Sequence, residues 1–339
     1  MIQAVMVKPG QIIFQNVPIP EVKPDQIKIK IKRIGVCGSD VHVNHGKHPF
    51  TSYPVVQGHE ISAVVTEIGS KVTNIKVGDK VTVQPQVVCG KCYPCTHGMY
   101  NDCEELKVMG FQTTGMASEY FVVDAKKALV LPENISWEHG AMIEPLAVAV
   151  HAVRRARDVQ GKKILVLGGG PIGNLVAQTA KAMGASDILL AEVSKYRLQA
   201  AQKCGLKTID NAKDDLLEKI IANFGKDRAD YIFECIGINP TMKQAIEYAR
   251  KGSTIIAVGV FGDLGAINMA FLQDHELSLL GSAMYREEDY IKAIELVSAG
   301  LIDFDTLITH RIKFKDYSDA YKLIDEQKDK AMKVIIEME

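Results

Sequence analysis

Lys163-Ile164-Leu165-Val166-Leu167-Gly168-Gly169-Gly170-Pro171-Ile172-Gly173 reads as an apolar strand, a glycine turn and the opening of a helix. The glycines fit the spacing G-x-G-x-x-G, directly after the strand and directly before the helical pattern Ile172 to Met183. Gly168 allows a tight turn, Gly170 lets the backbone approach a pyrophosphate, and Gly173 lets helix and strand pack closely, while the helix N-terminus aims N–H donors at the phosphates. The rhythm then repeats: strand Asp187 to Ala191 and a helix through Cys204, strand Asp230 to Glu234 and a helix from Pro240 to Arg250, then strand Ser253 to Val258. Short apolar strands alternating with amphipathic helices predict an α/β fold with a doubly wound parallel sheet. Glu192 ends the second strand, nineteen positions after Gly173. It can accept both hydroxyls of an adenosine ribose and repels a 2′-phosphate, so NAD is expected rather than NADP. Two competing readings stay open: Arg197 close by could accept a phosphate, and Glu192 could be a solvated strand-end carboxylate.

Upstream, the pattern changes. Ile27 to Ile34 alternates apolar and charged residues, Ile61 to Ile68 and Lys80 to Val83 are further strands, and Pro and Gly pairs supply turns, which suggests an irregular β-barrel. Within it, Cys37-Gly38-Ser39-Asp40-Val41-His42 and Gly58-His59-Glu60 gather a thiolate, an imidazole and a carboxylate, the mixed donor set that holds zinc with one position open. Ser39 and His42 are close enough in sequence to relay a proton. Any one of these residues alone would read as a buried Cys or a surface His; the combination points to a metal centre. Glu144, in Met142-Ile143-Glu144-Pro145-Leu146, lies in an apolar stretch where an unpaired carboxylate is costly. It reads either as a group near the metal or as a cap of the helix after Pro145. From Glu138 to Ala156 the pattern is helical.

Cys89, Cys92, Cys95 and Cys103 fall within fifteen residues. Four thiolates at these spacings can close around a tetrahedral zinc with no position left for substrate, a structural site. Lys91 and Lys107 are balanced by Asp102, Glu104 and Glu105, which argues against a nucleic-acid-binding module. Cys204 and Cys235 read as packing residues.

With 339 residues, 24% charged and a net charge of -1, the chain has room for two domains and no basic excess for nucleic acid or an anionic membrane. No apolar run approaches the roughly eighteen residues of a membrane span, and no signal-peptide pattern is seen, so a cytoplasmic location is expected.

Taken in order, these motifs resemble the zinc-dependent medium-chain dehydrogenases, and within them the polyol (sorbitol-type) dehydrogenases. The resemblance rests on Gly35 to His42, Gly58-His59-Glu60, the four-cysteine segment, Ile143 to Val148 with His151, Gly170-Pro171-Ile172-Gly173, and Thr309-His310-Arg311. It implies a GroES-like β-barrel catalytic domain, residues 1–146 and 287–339 with a zinc lobe near 86–106, around a Rossmann domain, residues 147–286. It also implies an active site in the cleft between the two. Cys37, His59 and Glu60 would hold the catalytic zinc, with a water or Glu144 completing the shell, and Ser39 and His42 would carry the relay. Gly168, Gly170, Ile172, Gly173, Glu192, Arg197 and Val258 would form the NAD site. The implied reaction is oxidation of a secondary alcohol of a polyol or sugar derivative to a ketone, through a zinc-bound alkoxide and hydride transfer to NAD, in a homodimer or homotetramer. The same frame serves sugar acids, threonine and simple secondary alcohols, and a redox sensor or scaffold that binds NAD without turnover is the rival outside enzymes. Two positions depart from the sorbitol-type pattern: Val43 stands for the usual Tyr and Met284 for the usual Arg. Both remove polar groups that would meet hydroxyls, which leaves the identity of the polyol open. Arg286, two places after Met284, reads as a surface residue or as a carboxylate binder.

Overall fold

The structure is a computed structural model that describes residues 1–262 and 264–338. It divides into two compact units, Met1–Glu144 with Arg286–Ser298 and Ile308–Glu339, and Pro145–Tyr285 with Ala299–Leu307.

The first unit is built on a seven-stranded sheet centred on strand Gln26–Gly35. Its alternation explains its place: Ile27, Ile29 and Ile31 are fully buried while Lys28 and Lys30 between them are partly exposed, the two-residue period of a strand with one face in a core. It pairs antiparallel with Glu60–Ile68, with Tyr120–Asp124 and with Lys333–Glu337 near the C-terminus. Ile308–Lys313 adds a parallel partner to Lys333–Glu337. The core holds Ile34, Ile61, Val65, Val81, Met116 and Ile336, with Tyr317 and Tyr321 of helix Tyr317–Gln327. Residues 86–108 leave the sheet as a lobe with one short ribbon, Gln86–Val87 against Lys107–Val108, and little else that is regular.

The second unit is a six-stranded parallel sheet: β1 (Lys163–Leu167), β2 (Asp187–Glu192), β3 (Lys207–Asp210), β4 (Tyr231–Glu234), β5 (Thr254–Ala257) and β6 (Ser278–Gly281). The strand order is 3-2-1-4-5-6, the doubly wound Rossmann arrangement. The expected helix after the glycine turn is Pro171–Ala182. Gly173 makes its approach to β1 possible, since a Cβ there would lie 1.9 Å from the Gly168 carbonyl oxygen. The strands β3 and β6 and the helices Leu216–Phe224 and Met269–Asp274 had no clear sequence signal. The helical pattern from Glu138 to Ala156 is two helices, Trp137–Ala141 and Ile143–Arg155, the first capped by Ser136.

Candidate active site

Strand register assembles the first site. Gly35 faces Glu60 across the central antiparallel pair and Ile335 on its other side. Cys37, two residues beyond Gly35, caps helix Gly38–Asn44, and His59 immediately precedes Glu60. One donor atom each from Cys37, His59 and Glu60 thus lies within 4.8 Å of the others. Gly35 has no room for a side chain, because a Cβ would fall 2.1 Å from Glu60 Oε2.

His59 is 3% exposed. Its buried Nδ1 makes no hydrogen bond and faces Asp40 Oδ1 at 3.7 Å, an orientation that leaves Nε2 as the donor to a metal. Asp40 is itself held: Oδ2 accepts the Cys37 N–H at 3.0 Å, Oδ1 accepts Gln57 Nε2 at 3.1 Å, and Gln57 Oε1 accepts the Tyr321 hydroxyl at 2.7 Å. Burial raises the Asp40 pKa, with the His59 charge pulling the other way. Burial opposes a charge on His59 too, but Asp40, Cys37 and Glu144 outweigh it and lift its pKa well above 6.5. A field that favours a proton on this ring favours a metal cation in the same place.

Glu60 and Lys333 form a buried ion pair. Lys333 Nζ donates to Glu60 Oε1 at 2.7 Å and Oε2 at 2.6 Å, and to the Val36 carbonyl at 3.3 Å. Burial works against the Lys333 charge, but Glu60, then Cys37, outweigh it and raise its pKa. The carboxylate therefore has a cation in place before any metal arrives. Glu144, 6% exposed in the first turn of helix Ile143–Arg155, influences the charge of His59 but is not in the three-donor group. Sulfur, imidazole nitrogen and carboxylate oxygen in one acid-rich pocket fit zinc, with a fourth position left to a water, a carboxylate or a substrate.

Ser39 and His42 stand one turn apart on helix Gly38–Asn44; His42 is exposed and Ser39 partly so. Among the described residues neither side chain has a hydrogen-bond partner. Beyond His59 runs an aromatic wall: Phe111 lies 4.9 Å from the His59 ring, and His48 stacks on Phe111 at 4.7 Å and 11°.

In the lobe, Cys89, Cys92, Cys95 and Cys103 bring their sulfurs within 4.8 Å of one another. The Cys89 and Cys92 N–H groups point at the Cys103 and Cys89 sulfurs. Backbone N–H groups of Lys91 and Cys92 pull the Cys89 thiol down to about 7, while burial and the neighbouring sulfurs push Cys95 up to about 12. Four crowded thiols with such divergent affinities for protons are the donor set a tetrahedral zinc would settle.

In the second unit, a cavity of about 450 Å³ at the C-terminal ends of the strands is lined by Gly168, Gly170, Glu192, Arg197, Asn211 and Thr241, among others. Ile172, Gly173 and Val258 are not in its lining. Glu192 accepts N–H groups of Gly169 at 2.8 Å, Val193 at 2.7 Å and Ser194 at 3.0 Å. Arg197 stands 3.8 Å from the same carboxylate. The cavity has the size and position of a dinucleotide site.

Several groups here carried a sequence signal that motif reading passes over. Asp40 is three residues after Cys37, the spacing of a capping box. Lys333 interrupts the apolar run Ala331 to Ile336, and a lysine in such a run calls for a carboxylate. Gln57 and Tyr321 had no local signal, because their partners come from distant segments. Val43, expected to face substrate, is fully buried in the core.

Comparison with known proteins agrees with this geometry. Residues 23–133 match the alcohol dehydrogenase GroES-like domain and residues 171–299 the zinc-binding dehydrogenase domain. A probable D-xylulose reductase A of Emericella nidulans is 37% identical, covering 95% of this chain and 92% of the relative. A 2-dehydro-3-deoxy-L-galactonate 5-dehydrogenase of Pseudoalteromonas atlantica is 35% identical over 92% of this chain and 91% of the relative. An alcohol dehydrogenase of Escherichia coli CFT073, solved with NADH, superposes with a TM-score of 0.92 at 31% identity, over 99% of each chain. With full-length relatives, both domain matches and a donor set that fits the metal, this chain belongs to the zinc-dependent medium-chain alcohol and polyol dehydrogenases.

Proposed function

We propose that this protein oxidises a secondary alcohol of a neutral polyol or sugar derivative to a ketone, with NAD as the oxidant and one catalytic and one structural zinc. The observation that carries the reading is the group of partly buried Cys37 with buried His59 and Glu60, with Asp40 facing the imidazole from behind. Cys37 and His59 hold the catalytic ion, with Glu60 beside them, and Cys89, Cys92, Cys95 and Cys103 hold the structural one. Zinc in the catalytic site supplies the Lewis acidity that lowers the pKa of an alcohol, as metals lower that of water from ~15.7 to ~7.

The chain's own groups do the rest. The Asp40 charge, 3.7 Å from His59 Nδ1, favours a proton on that nitrogen and leaves Nε2 for the metal, while Gln57, held by Tyr321, keeps Asp40 in place. Lys333 compensates the Glu60 charge, so that the pocket does not accumulate uncompensated carboxylates. Ser39 and His42, one above the other on a helix face, take the released proton outward, and the exposed ring of His42 hands it to water. Glu192 receives the adenosine ribose and selects NAD, which accepts the hydride.

The D-xylulose reductase relative supports a polyol, and the galactonate dehydrogenase relative supports a sugar acid. The neutral substrate is favoured because Arg286, the residue considered for a carboxylate, is already engaged by Asn101 Oδ1 at 2.9 Å and by Glu288. The clustering of four of the seven cysteines as metal donors supports a reducing, cytoplasmic setting, and among the described residues no helix is long and apolar enough to cross a membrane. The test is NADH formation at 340 nm with xylitol, D-sorbitol and 2,3-butanediol, with zinc counted per chain. NAD reduction by a polyol and two zincs per chain support the reading; no turnover of either polyol refutes it.

A further inference from the structure

Residues 44–56, between the two metal-binding motifs, take no part in holding the metal, and the position just before them, Tyr in the sorbitol-type pattern, is the buried Val43. The structure places a different polar group within reach. His59, Phe111, His48 and Phe50 form a continuous run of rings: 4.9 Å from His59 to Phe111, 4.7 Å from Phe111 to His48, and 6.2 Å edge-on from His48 to Phe50. Such a run begins at the metal donor and leads outward. Its ring faces suit the C–H bonds of an extended carbon chain, and beyond the metal donor His59 its one ring with polar atoms is His48.

That imidazole is oriented. Thr51 Oγ1 lies 2.8 Å from His48 Nδ1, and Phe111 holds the plane of the ring at 11°. With Nδ1 occupied and the ring stacked on Phe111, Nε2 is left as the hydrogen-bonding atom, a donor or an acceptor according to which proton Thr51 shares. Burial, followed by the like charges of His42 and His59, keeps the ring below its ordinary pKa, so at neutral pH it suits a hydroxyl better than a carboxylate.

We propose that His48 is a specificity-determining residue, whose Nε2 hydrogen-bonds a hydroxyl of the substrate remote from the reacting carbon and takes over the work of the tyrosine that Val43 replaces. The inference rests on the polyol reading and deepens it: the substrate carries at least one hydroxyl beyond the one oxidised and its immediate neighbour, along a chain laid on Phe111. His48 moves no proton in the reaction. Its contribution is uniform binding, which appears in KM and not in kcat.

The experiment compares wild type with His48→Phe, which keeps the stack on Phe111 and loses the nitrogen, and with His48→Gln, which restores a hydrogen-bonding group. Xylitol, D-sorbitol and 2,3-butanediol are the substrates. A calorimetric Kd for xylitol on the zinc-loaded, NADH-saturated enzyme gives a readout independent of turnover. One lost hydrogen bond corresponds to about a tenfold effect. The KM and Kd for xylitol are expected to rise about tenfold in His48→Phe with kcat unchanged, and to recover in part in His48→Gln. Unchanged xylitol KM and Kd in His48→Phe, or a loss confined to kcat, overturn the assignment while the polyol reading stands. A wild type that oxidises only 2,3-butanediol, or none of the three, refutes the polyol reading and the assignment together.

Discussion

Lys333→Met isolates the electrostatics of the metal pocket. Lys333 and Glu60 are 4% and 1% exposed, and the ammonium serves both carboxylate oxygens and the Val36 carbonyl. Methionine keeps most of the volume and leaves Glu60 buried without its cation. Breaking a buried pair from one side costs about 3–5 kcal/mol, whereas replacing both partners by neutral groups costs far less. Glu60→Gln with Lys333→Met is therefore expected to recover most of the loss. The chain has one tryptophan, Trp137, in the same unit as the pair. Urea unfolding of zinc-depleted protein followed by its fluorescence reads the relevant unit, and calorimetry should show a drop of about 10 °C for the single variant. Because the Lys333 pKa is raised above 10.5, the contribution is fully present below that pH and is lost only as pH rises through the higher folded value. The difference between wild type and variant should thus persist at pH 9. A single variant within about 1 kcal/mol of wild type, or a double variant no better than the single, would refute the pairing.

Two other outcomes are checked more simply. Arg311 donates to both oxygens of Glu138 at 2.7 Å, and this pairing, before any other cause, lowers the Glu138 pKa below 4.5. Its stabilisation is present above that pH and fades as pH falls through the lowered value, so Glu138→Gln should cost about 1 kcal/mol at pH 7 and progressively less as pH is lowered below 4.5 by urea titration; a loss that does not shrink on acidification would contradict it. Glu192→Ala should raise the KM for NAD about tenfold and narrow the preference over NADP, measured by initial rates with the two cofactors. Unchanged selectivity would remove Glu192 from that role.

Local patterns were readable where a short stretch contains both cause and consequence. The turn at Gly168 to Gly173 carries its reason within the motif, and the four cysteines of the lobe sit within fifteen residues. Cys37 and His59 could be paired as donors because their residue types are informative even before their register is known. Strand Lys207–Asp210 was harder to see, since only Ile209 of its four residues is buried. The supporting shell was hidden for another reason. Asp40 is fixed by Gln57 and Tyr321, and Glu60 by Lys333, contacts spanning 17 to 273 residues. Sequence spacing says nothing about pairs that only strand register and tertiary packing bring together.

Zinc counted per chain by mass spectrometry in wild type, Cys37→Ser and Cys92→Ser, alongside polyol oxidation in the same samples, decides the assignment of the two metal sites. Two zincs are expected in wild type and one in each variant, with Cys37→Ser losing turnover and retaining NADH binding. A Cys37→Ser protein that keeps both zincs, or that still reduces NAD with a polyol at the wild-type rate, would contradict the assignment of Cys37, His59 and Glu60 as the reacting centre.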